Sequence, residues 1–153
     1  MNRFMSLISV ALVAGVALGQ GAASPAEVIK GRQQGLKSIG SAFKIIRDEL
    51  KSGTPDAAKI KAAGARISQE SSAIGGWFPA GTGPDSGVKT DAKAEIWSDP
   101  AAFNAAREAF VREAAKSAQV FTTDSDPSAW SAATDSLGQT CRGCHDKFRV
   151  KRD

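Results

Sequence analysis

Residues 139–153, QTCRGCHDKFRVKRD, contain both cysteines and the one histidine of this 153-residue chain. Cys141, Cys144 and His145 form the spacing C-x-x-C-H. If two cysteines and one histidine were scattered freely, this pattern would arise by chance on the order of once in 10,000 chains. The cluster therefore indicates a chemical site.

Three kinds of site use such a cluster. A redox-active dithiol needs cysteines at a helix N-terminus, where the dipole lowers the thiol pKa, and this motif comes late in a predicted helix. A structural zinc site needs four ligands, and only three good ones exist. Covalent haem attachment needs two thiols for the porphyrin vinyl groups and a histidine for the iron. The motif therefore predicts one haem c attached through Cys141 and Cys144, with His145 as the iron ligand.

The apolar residues that precede the motif recur at helical spacing. Trp130, Ala133 and Leu137 lie on one line that Cys141 and Cys144 continue. The haem is therefore expected to face the core of a helical protein.

Proline after a short polar residue marks a helix start, because proline at the first helical position gives up no hydrogen bond that the helix needs. Four such pairs occur: Ser24-Pro25, Thr54-Pro55, Asp99-Pro100 and Asp126-Pro127. Glu27 adds a capping box to the first. Each start precedes an apolar stripe with helical spacing, and no segment shows convincing period-two alternation. The sequence therefore predicts an all-α fold, an antiparallel up-down four-helix bundle with one covalently attached haem c.

The predicted second and third helices are joined by a connection of roughly 24 residues, which is long for a compact bundle. It contains Trp77, Phe78, Ile96 and Trp97. Large apolar side chains argue against a disordered segment. We expect this connection to pack over the bundle.

Residues 1–23 have the features of a secretory signal peptide: a basic residue, an apolar run over residues 4–18 and then small residues. Cleavage is expected after Ala23 or, alternatively, after Gly19. The apolar run is too short to span a bilayer comfortably, so we expect no membrane association of the mature form. Residues 24–153 would then form one domain, exported to the periplasm.

The formal net charge of +4 is mild. Basic residues gather near the end of the chain, at Lys147, Arg149, Lys151 and Arg152. Cations at the end of a helix complement its dipole, which explains them better than a nucleic-acid patch does. We therefore expect no nucleic-acid partner.

The iron's second axial position is the next question. Electron-carrying c-type cytochromes commonly fill it with methionine or a second histidine. Both methionines, Met1 and Met5, lie in the predicted signal peptide, and there is no second histidine. A protonated lysine has no lone pair to give at neutral pH. The predicted iron is therefore five-coordinate, with one open face.

The sequence resembles cytochrome c′, the high-spin branch of the class II c-type cytochromes, over essentially the whole of residues 24–153. The resemblance rests on CRGCHDKFR at 141–149, RQQGL at 32–36 and DAKAEIWSD at 91–99. It implies the same haem-binding four-helix bundle and association as a homodimer through the first two helices.

The resemblance also implies roles for single residues. Leu36 would lie over the distal face of the iron and crowd an incoming ligand. Arg32 and Gln33 would lie near the haem propionates, and Asp91 and Glu95 would hydrogen-bond at the haem edge.

On the other side of the iron, Arg149 matches the proximal arginine of the family. It stands four residues beyond His145, which predicts that both lie on the same helical face. Phe148 stands where relatives often have tyrosine, so a phenolic hydrogen bond is absent from this side.

Together, the open iron and the resemblance predict a periplasmic haem protein that binds small gaseous ligands, nitric oxide and carbon monoxide, and can transfer electrons. The alternative is a plain electron-transfer cytochrome without a ligand-binding role. Either would exchange electrons with a separate redox partner protein. Peroxidase-like chemistry is disfavoured because no distal histidine is available to accept a proton, so we expect no enzymatic activity.

The attachment chemistry gives a first testable prediction. Because thioether bonds are covalent, haem should stay with the polypeptide after acid–acetone extraction of the mature protein, as measured by absorbance of the two phases. The Cys141→Ser/Cys144→Ser variant should release any haem that it retains. Release of most of the haem from the unmutated protein would contradict the assignment.

Overall fold

The computed structural model describes residues 23–151, so the predicted signal peptide lies outside the described residues except for its last position. The helices are α1 (Pro25–Lys51), α2 (Ala57–Ala73), α3 (Glu95–Ser98), α4 (Pro100–Thr123) and α5 (Pro127–Phe148). Two short 3-10 turns, Ile74–Gly76 and Pro84–Ser86, lie between α2 and α3. Within residues 23–151 the only β-pairing is one isolated bridge, and no helix is long and apolar enough to cross a membrane.

Three of the four predicted helix starts are confirmed. The Ser24 hydroxyl accepts from the backbone N–H of Glu27, whose carboxylate accepts from the Ser24 N–H at 2.8 Å, so the capping box is complete. Asp99 caps α4 and Asp126 caps α5 through side-chain oxygens.

The predicted start of the second helix at Thr54-Pro55 is wrong. α2 begins at Ala57, and its cap is Asp56. The Asp56 carboxylate accepts from the backbone N–H groups of Ala58 at 2.8 Å and Lys59 at 3.2 Å. An ionised oxygen that satisfies two free N–H groups is a stronger cap than the Thr54 hydroxyl, so the helix starts two residues later.

The four long helices form the predicted antiparallel bundle. α1 packs along α2, α2 along α4 and α4 along α5, whereas α1 and α5 contact each other much less. Their contact runs through Phe43 and Gly138, where an added Cβ would lie 3.3 Å from the Phe43 ring. We call this loosely packed side of the bundle the α1–α5 seam.

Two clusters of buried side chains hold the helices together. The larger runs the length of the bundle and includes Ile39, Ile46, Ile60, Ile67, Phe110, Phe121, Trp130 and Leu137. The smaller consists of Ile96, Phe103 and Phe148 and closes the end of the bundle where α5 ends. Phe103 meets the Phe148 ring edge-on, with ring centroids 5.3 Å apart.

The long connection packs over the bundle, as predicted. Trp77 lies against α1 at Gly35, where an added Cβ would stand 2.3 Å from its ring. Phe78 meets Phe103 with ring centroids 5.0 Å apart. The Trp97 indole N–H donates to the backbone oxygen of Phe78 at 3.2 Å. The connection is therefore an ordered cover rather than a loose loop.

Two helical glycines provide a test of the packing. A Cβ at Gly64 would meet the Phe121 ring at 2.5 Å, whereas one at Gly31 would meet nothing within 4 Å. Gly64→Ala should lower the free energy of unfolding by about 1–3 kcal/mol through overpacking. Gly31→Ala should raise it by about 0.5–1 kcal/mol because alanine loses less backbone entropy. Equal effects of the two changes in chemical denaturation would contradict this packing.

Candidate functional site

The two cysteines lie in the last two turns of α5, and both are half-buried and unpaired. Cys141 packs against the larger core cluster and Cys144 against the smaller one. Burial raises the pKa of the Cys141 thiol to about 11 and also raises that of Cys144. A redox-active dithiol shows the opposite shift. No group of three or more candidate metal ligands occurs among residues 23–151, which gives a zinc site no support.

His145 lies near the C-terminus of α5 and is exposed. Its pKa is lowered, mainly because the protein packed around the imidazole disfavours the charged form, and secondly by the nearby charge of Arg149. A neutral imidazole keeps the lone pair that a metal needs. The side chain is therefore suited to bind iron.

Helix geometry and the Phe43–Gly138 contact put Leu36 and His145 at about one level of the α1–α5 seam. Leu36 is seven residues before Phe43 and His145 is seven residues after Gly138. In two antiparallel helices, seven residues are about two turns, so both side chains lie on the facing sides at one level, about 10 Å along from the Phe43 contact. Leu36 is 40 % exposed, unusual for a leucine on the inner side of a bundle.

A haem attached through α5 fits this arrangement. The half-buried thiols pack against the two core clusters, and the exposed imidazole and the exposed, apolar Leu36 lie at about one level of the seam. α1 and α5 contact each other much less than the other neighbouring helices do. The residues present thus match a haem c site.

Arg32 is buried, with 2 % of its surface exposed, and it binds the long connection rather than solvent. Its guanidinium donates to the Thr82 hydroxyl at 3.2 Å, the Thr82 carbonyl at 3.0 Å and the Thr90 hydroxyl at 2.9 Å. It also lies 4.6 Å from the centre of the Phe78 ring. Burial lowers its pKa, but a guanidinium remains charged in proteins. Arg32 thus ties α1 to the connection through neutral acceptors and an aromatic ring.

Gln33 and the acidic residues adjoin the same connection. The Gln33 side-chain amide donates to the Lys89 carbonyl at 3.3 Å. The Asp91 carbonyl accepts from the Val150 N–H at 2.8 Å, which brings the connection against the chain beyond α5. Glu95 is exposed and is the first residue of α3. Contacts of these residues with haem remain predictions.

The prediction that Arg149 shares a helical face with His145 is wrong. α5 ends at Phe148, and Arg149 is extended, with φ −119° and ψ 137°. The connection competes successfully for the backbone here, because Lys93 N–H donates to the Phe148 carbonyl at 3.0 Å and Ala92 forms the isolated bridge with Arg149. The Arg149 charge still lies near enough to help lower the pKa of His145 and to offset part of the rise that burial causes in the pKa of Cys144.

The structure gathers the predicted site residues at one end of the bundle: Arg32, Gln33, Leu36, Asp91, Glu95, Cys141, Cys144, His145 and Arg149. Sequence reasoning missed Thr82 and Thr90, which hold Arg32, and the Phe78–Phe103 ring pair. No spacing rule links a helix residue to threonines about 50 positions away, so only the aromatic content of the connection could have hinted at these contacts.

The chain is also similar to known proteins of one family. The family described as "Cytochrome C'" matches residues 27–149. A cytochrome c′ from Alcaligenes xylosoxydans xylosoxydans is 36 % identical over 132 residues, which cover 85 % of this chain and 98 % of that protein.

Solved structures agree with the sequence comparison. A cytochrome c′ with ligand-controlled dimer dissociation has a TM-score of 0.79 at 30 % identity, covering 85 % of this chain and 99 % of that one. The nitric oxide complex of a leucine-to-isoleucine variant of cytochrome c prime from Alcaligenes xylosoxidans has a TM-score of 0.74 at 32 % identity, covering 84 % and 98 %.

The contacts of Arg32 provide a testable prediction. Arg32→Lys keeps the charge but loses the planar fork, so at least one acceptor on Thr82 or Thr90 should lose its donor. The free energy of unfolding should fall by about 1–3 kcal/mol. Hydrogen exchange should quicken in residues 77–94, measured by mass spectrometry.

The exposed Arg112 on α4 provides the control. Arg112→Lys should change stability by less than about 0.5 kcal/mol and leave exchange in the connection unaltered. If Arg32→Lys behaved like Arg112→Lys, the guanidinium would not be what holds the connection.

Proposed function

The chain belongs to the cytochrome c′ family, and from that premise we propose that it is a periplasmic haem protein whose five-coordinate iron binds nitric oxide and carbon monoxide and can transfer electrons. Haem c is the cofactor of this family, and Cys141 and Cys144 fit its covalent attachment. When bound, the haem supplies an iron centre to which small diatomic molecules can attach.

The proposal rests on the register of the α1–α5 seam, in which helix geometry puts Leu36 at about the level of His145. A leucine side chain has no lone pair, so it cannot ligate iron. His145 is the chain's only histidine, and residues 24–153 contain no methionine. The side facing Leu36 is therefore expected to stay open to a small ligand while Leu36 limits the room available to it.

The chemistry of the same side chain favours particular ligands. An apolar side chain offers no hydrogen bond to polarise bound oxygen, whereas nitric oxide and carbon monoxide bind iron without such help. The similar Alcaligenes xylosoxidans structure is a nitric oxide complex, which supports the extension of this ligand class to the present chain.

Association as a homodimer through α1 and α2 is part of the proposal. A similar solved structure is of a cytochrome c′ with ligand-controlled dimer dissociation. Ile45 on the outer side of α1 is 45 % exposed, which is consistent with a contact surface there.

The compartment and the reaction class complete the proposal. Haem attachment to a C-x-x-C-H motif and the apolar leader of residues 1–23 support export to the periplasm, with residues 24–153 as the mature domain. We propose a ligand-binding and electron-transferring role rather than an enzymatic one. A plain electron carrier is the second candidate, favoured by the c-type attachment alone.

Replacing Leu36 separates these candidates. Leu36→Ala should widen the open side and speed carbon monoxide association with the reduced protein by on the order of tenfold, which corresponds to about 1.4 kcal/mol of barrier. Flash photolysis measures this rate. An apolar residue of α4, outside the proposed dimer contact, provides the control, and Val111→Ala should leave the rate within about twofold.

A folded Leu36→Ala protein with unaltered carbon monoxide kinetics would place Leu36 away from the ligand. Failure of the unmutated reduced protein to bind carbon monoxide would favour the plain electron carrier.

A further inference from the structure

Four lysines recur at seven-residue intervals along α1. We call Lys30, Lys37, Lys44 and Lys51 the lysine stripe. Seven residues are close to two helical turns, so all four lie along one side of the helix, over about 31 Å. All four are exposed. The repeat therefore places a long row of ammonium groups at the surface.

The charge of the lysine stripe is largely unneutralised. Lys44 pairs with Asp48, but within residues 23–151 no ion pair includes Lys30, Lys37 or Lys51. Asp48 is itself surrounded by cations: its pKa is lowered first by the hydrogen bond from Lys44 and further by the charges of Lys44, Lys51 and Arg47. Several cations thus share one carboxylate, and the surface keeps a net positive charge.

The lysine stripe borders the α1–α5 seam. Lys44 follows Phe43, which meets α5 at Gly138, and the other three lysines lie on the same side of α1 as Lys44. A surface groove of about 340 Å³ runs here, lined by Gly40, Phe43, Lys44, Arg47, Asp48 and Lys51. Its floor includes the half-buried Phe43 ring and its rim is cationic.

We propose that the lysine stripe and this groove form a docking surface for the acidic face of a partner protein. Successive lysines lie about 10 Å apart, roughly one Debye length at physiological salt, so they repel one another little. A carboxylate in direct contact with each lysine is much closer than that and is attracted strongly. The apolar floor of the groove would take a side chain projecting from the partner.

The position and chemistry of the surface favour a protein over a membrane or a nucleic acid. A partner protein seated on the groove would lie beside the seam that holds the cofactor site. Binding to a lipid surface or to a phosphate backbone would not require this position. The row itself consists of lysines, with Arg47 as the one arginine among the groove-lining residues, and no row of large apolar side chains accompanies it for insertion into lipid.

The test uses the haem-loaded protein and a small electron-transfer flavoprotein with a strongly acidic surface. Calorimetry should detect binding at about 10 mM ionic strength that weakens at least tenfold at about 300 mM. Lys37→Glu/Lys51→Glu should weaken the low-salt affinity by on the order of tenfold or more. Carbodiimide cross-links should map to the lysine stripe.

Lys61→Glu/Lys116→Glu provides the matched control, because it makes the same change in net charge at exposed lysines on α2 and α4. The affinity of this control variant for the flavoprotein should stay within about twofold of that of the unmutated protein. Equal weakening by both double variants would show that only net charge matters, and it would overturn the proposal. Absence of binding, or tighter binding to vesicles of anionic phospholipid, would also overturn it. Because affinity is measured without any gas, the result is independent of ligand binding at the iron.

Discussion

The α1–α5 seam is the constraint on which the rest of this structure depends. Three neighbouring helix pairs pack closely, and the fourth pair, α1 and α5, has fewer contacts, which include the approach of Phe43 to Gly138. A bundle can leave one side loose only if something else fills it or the other three sides suffice. The thiols of α5 are only half-buried against the two core clusters, so the cofactor that they hold would join the packing at this less closely packed side of the bundle.

The long connection joins the two helices of the seam near the site. Arg32 reaches from α1 into it, and the backbone around Ala92 pairs with the chain beyond α5. Both helices of the seam are therefore linked to one segment, although they contact each other little. This linkage fixes the positions of Leu36 and His145 relative to each other, and it takes Arg149 out of the helix. Residues proposed for the two sides of the iron thus depend on one segment for their positions.

Much of this organisation could be predicted from the sequence because its causes are local. The C-x-x-C-H motif, the apolar stripes and the caps at Ser24, Asp99 and Asp126 depend on residues a few positions apart, and the structure confirms the motif's place in a helix, the bundle and these three caps. The two wrong predictions arose where another group competed successfully for the same stretch of backbone. Asp56 proved a better cap than Thr54, and backbone pairing with the connection outweighed continuation of α5 through Arg149. The contacts of Arg32 with Thr82 and Thr90 arise only from the tertiary fold.

The central claim is that the side of the iron facing Leu36 has no protein ligand. Resonance Raman and optical spectroscopy of the reduced protein, without added gas, measure the coordination and spin state of the iron directly. The account predicts a high-spin, five-coordinate iron bound axially by His145 alone. A low-spin, six-coordinate iron in the reduced protein would contradict it, because some side chain would then have to cross the seam and take the position facing Leu36.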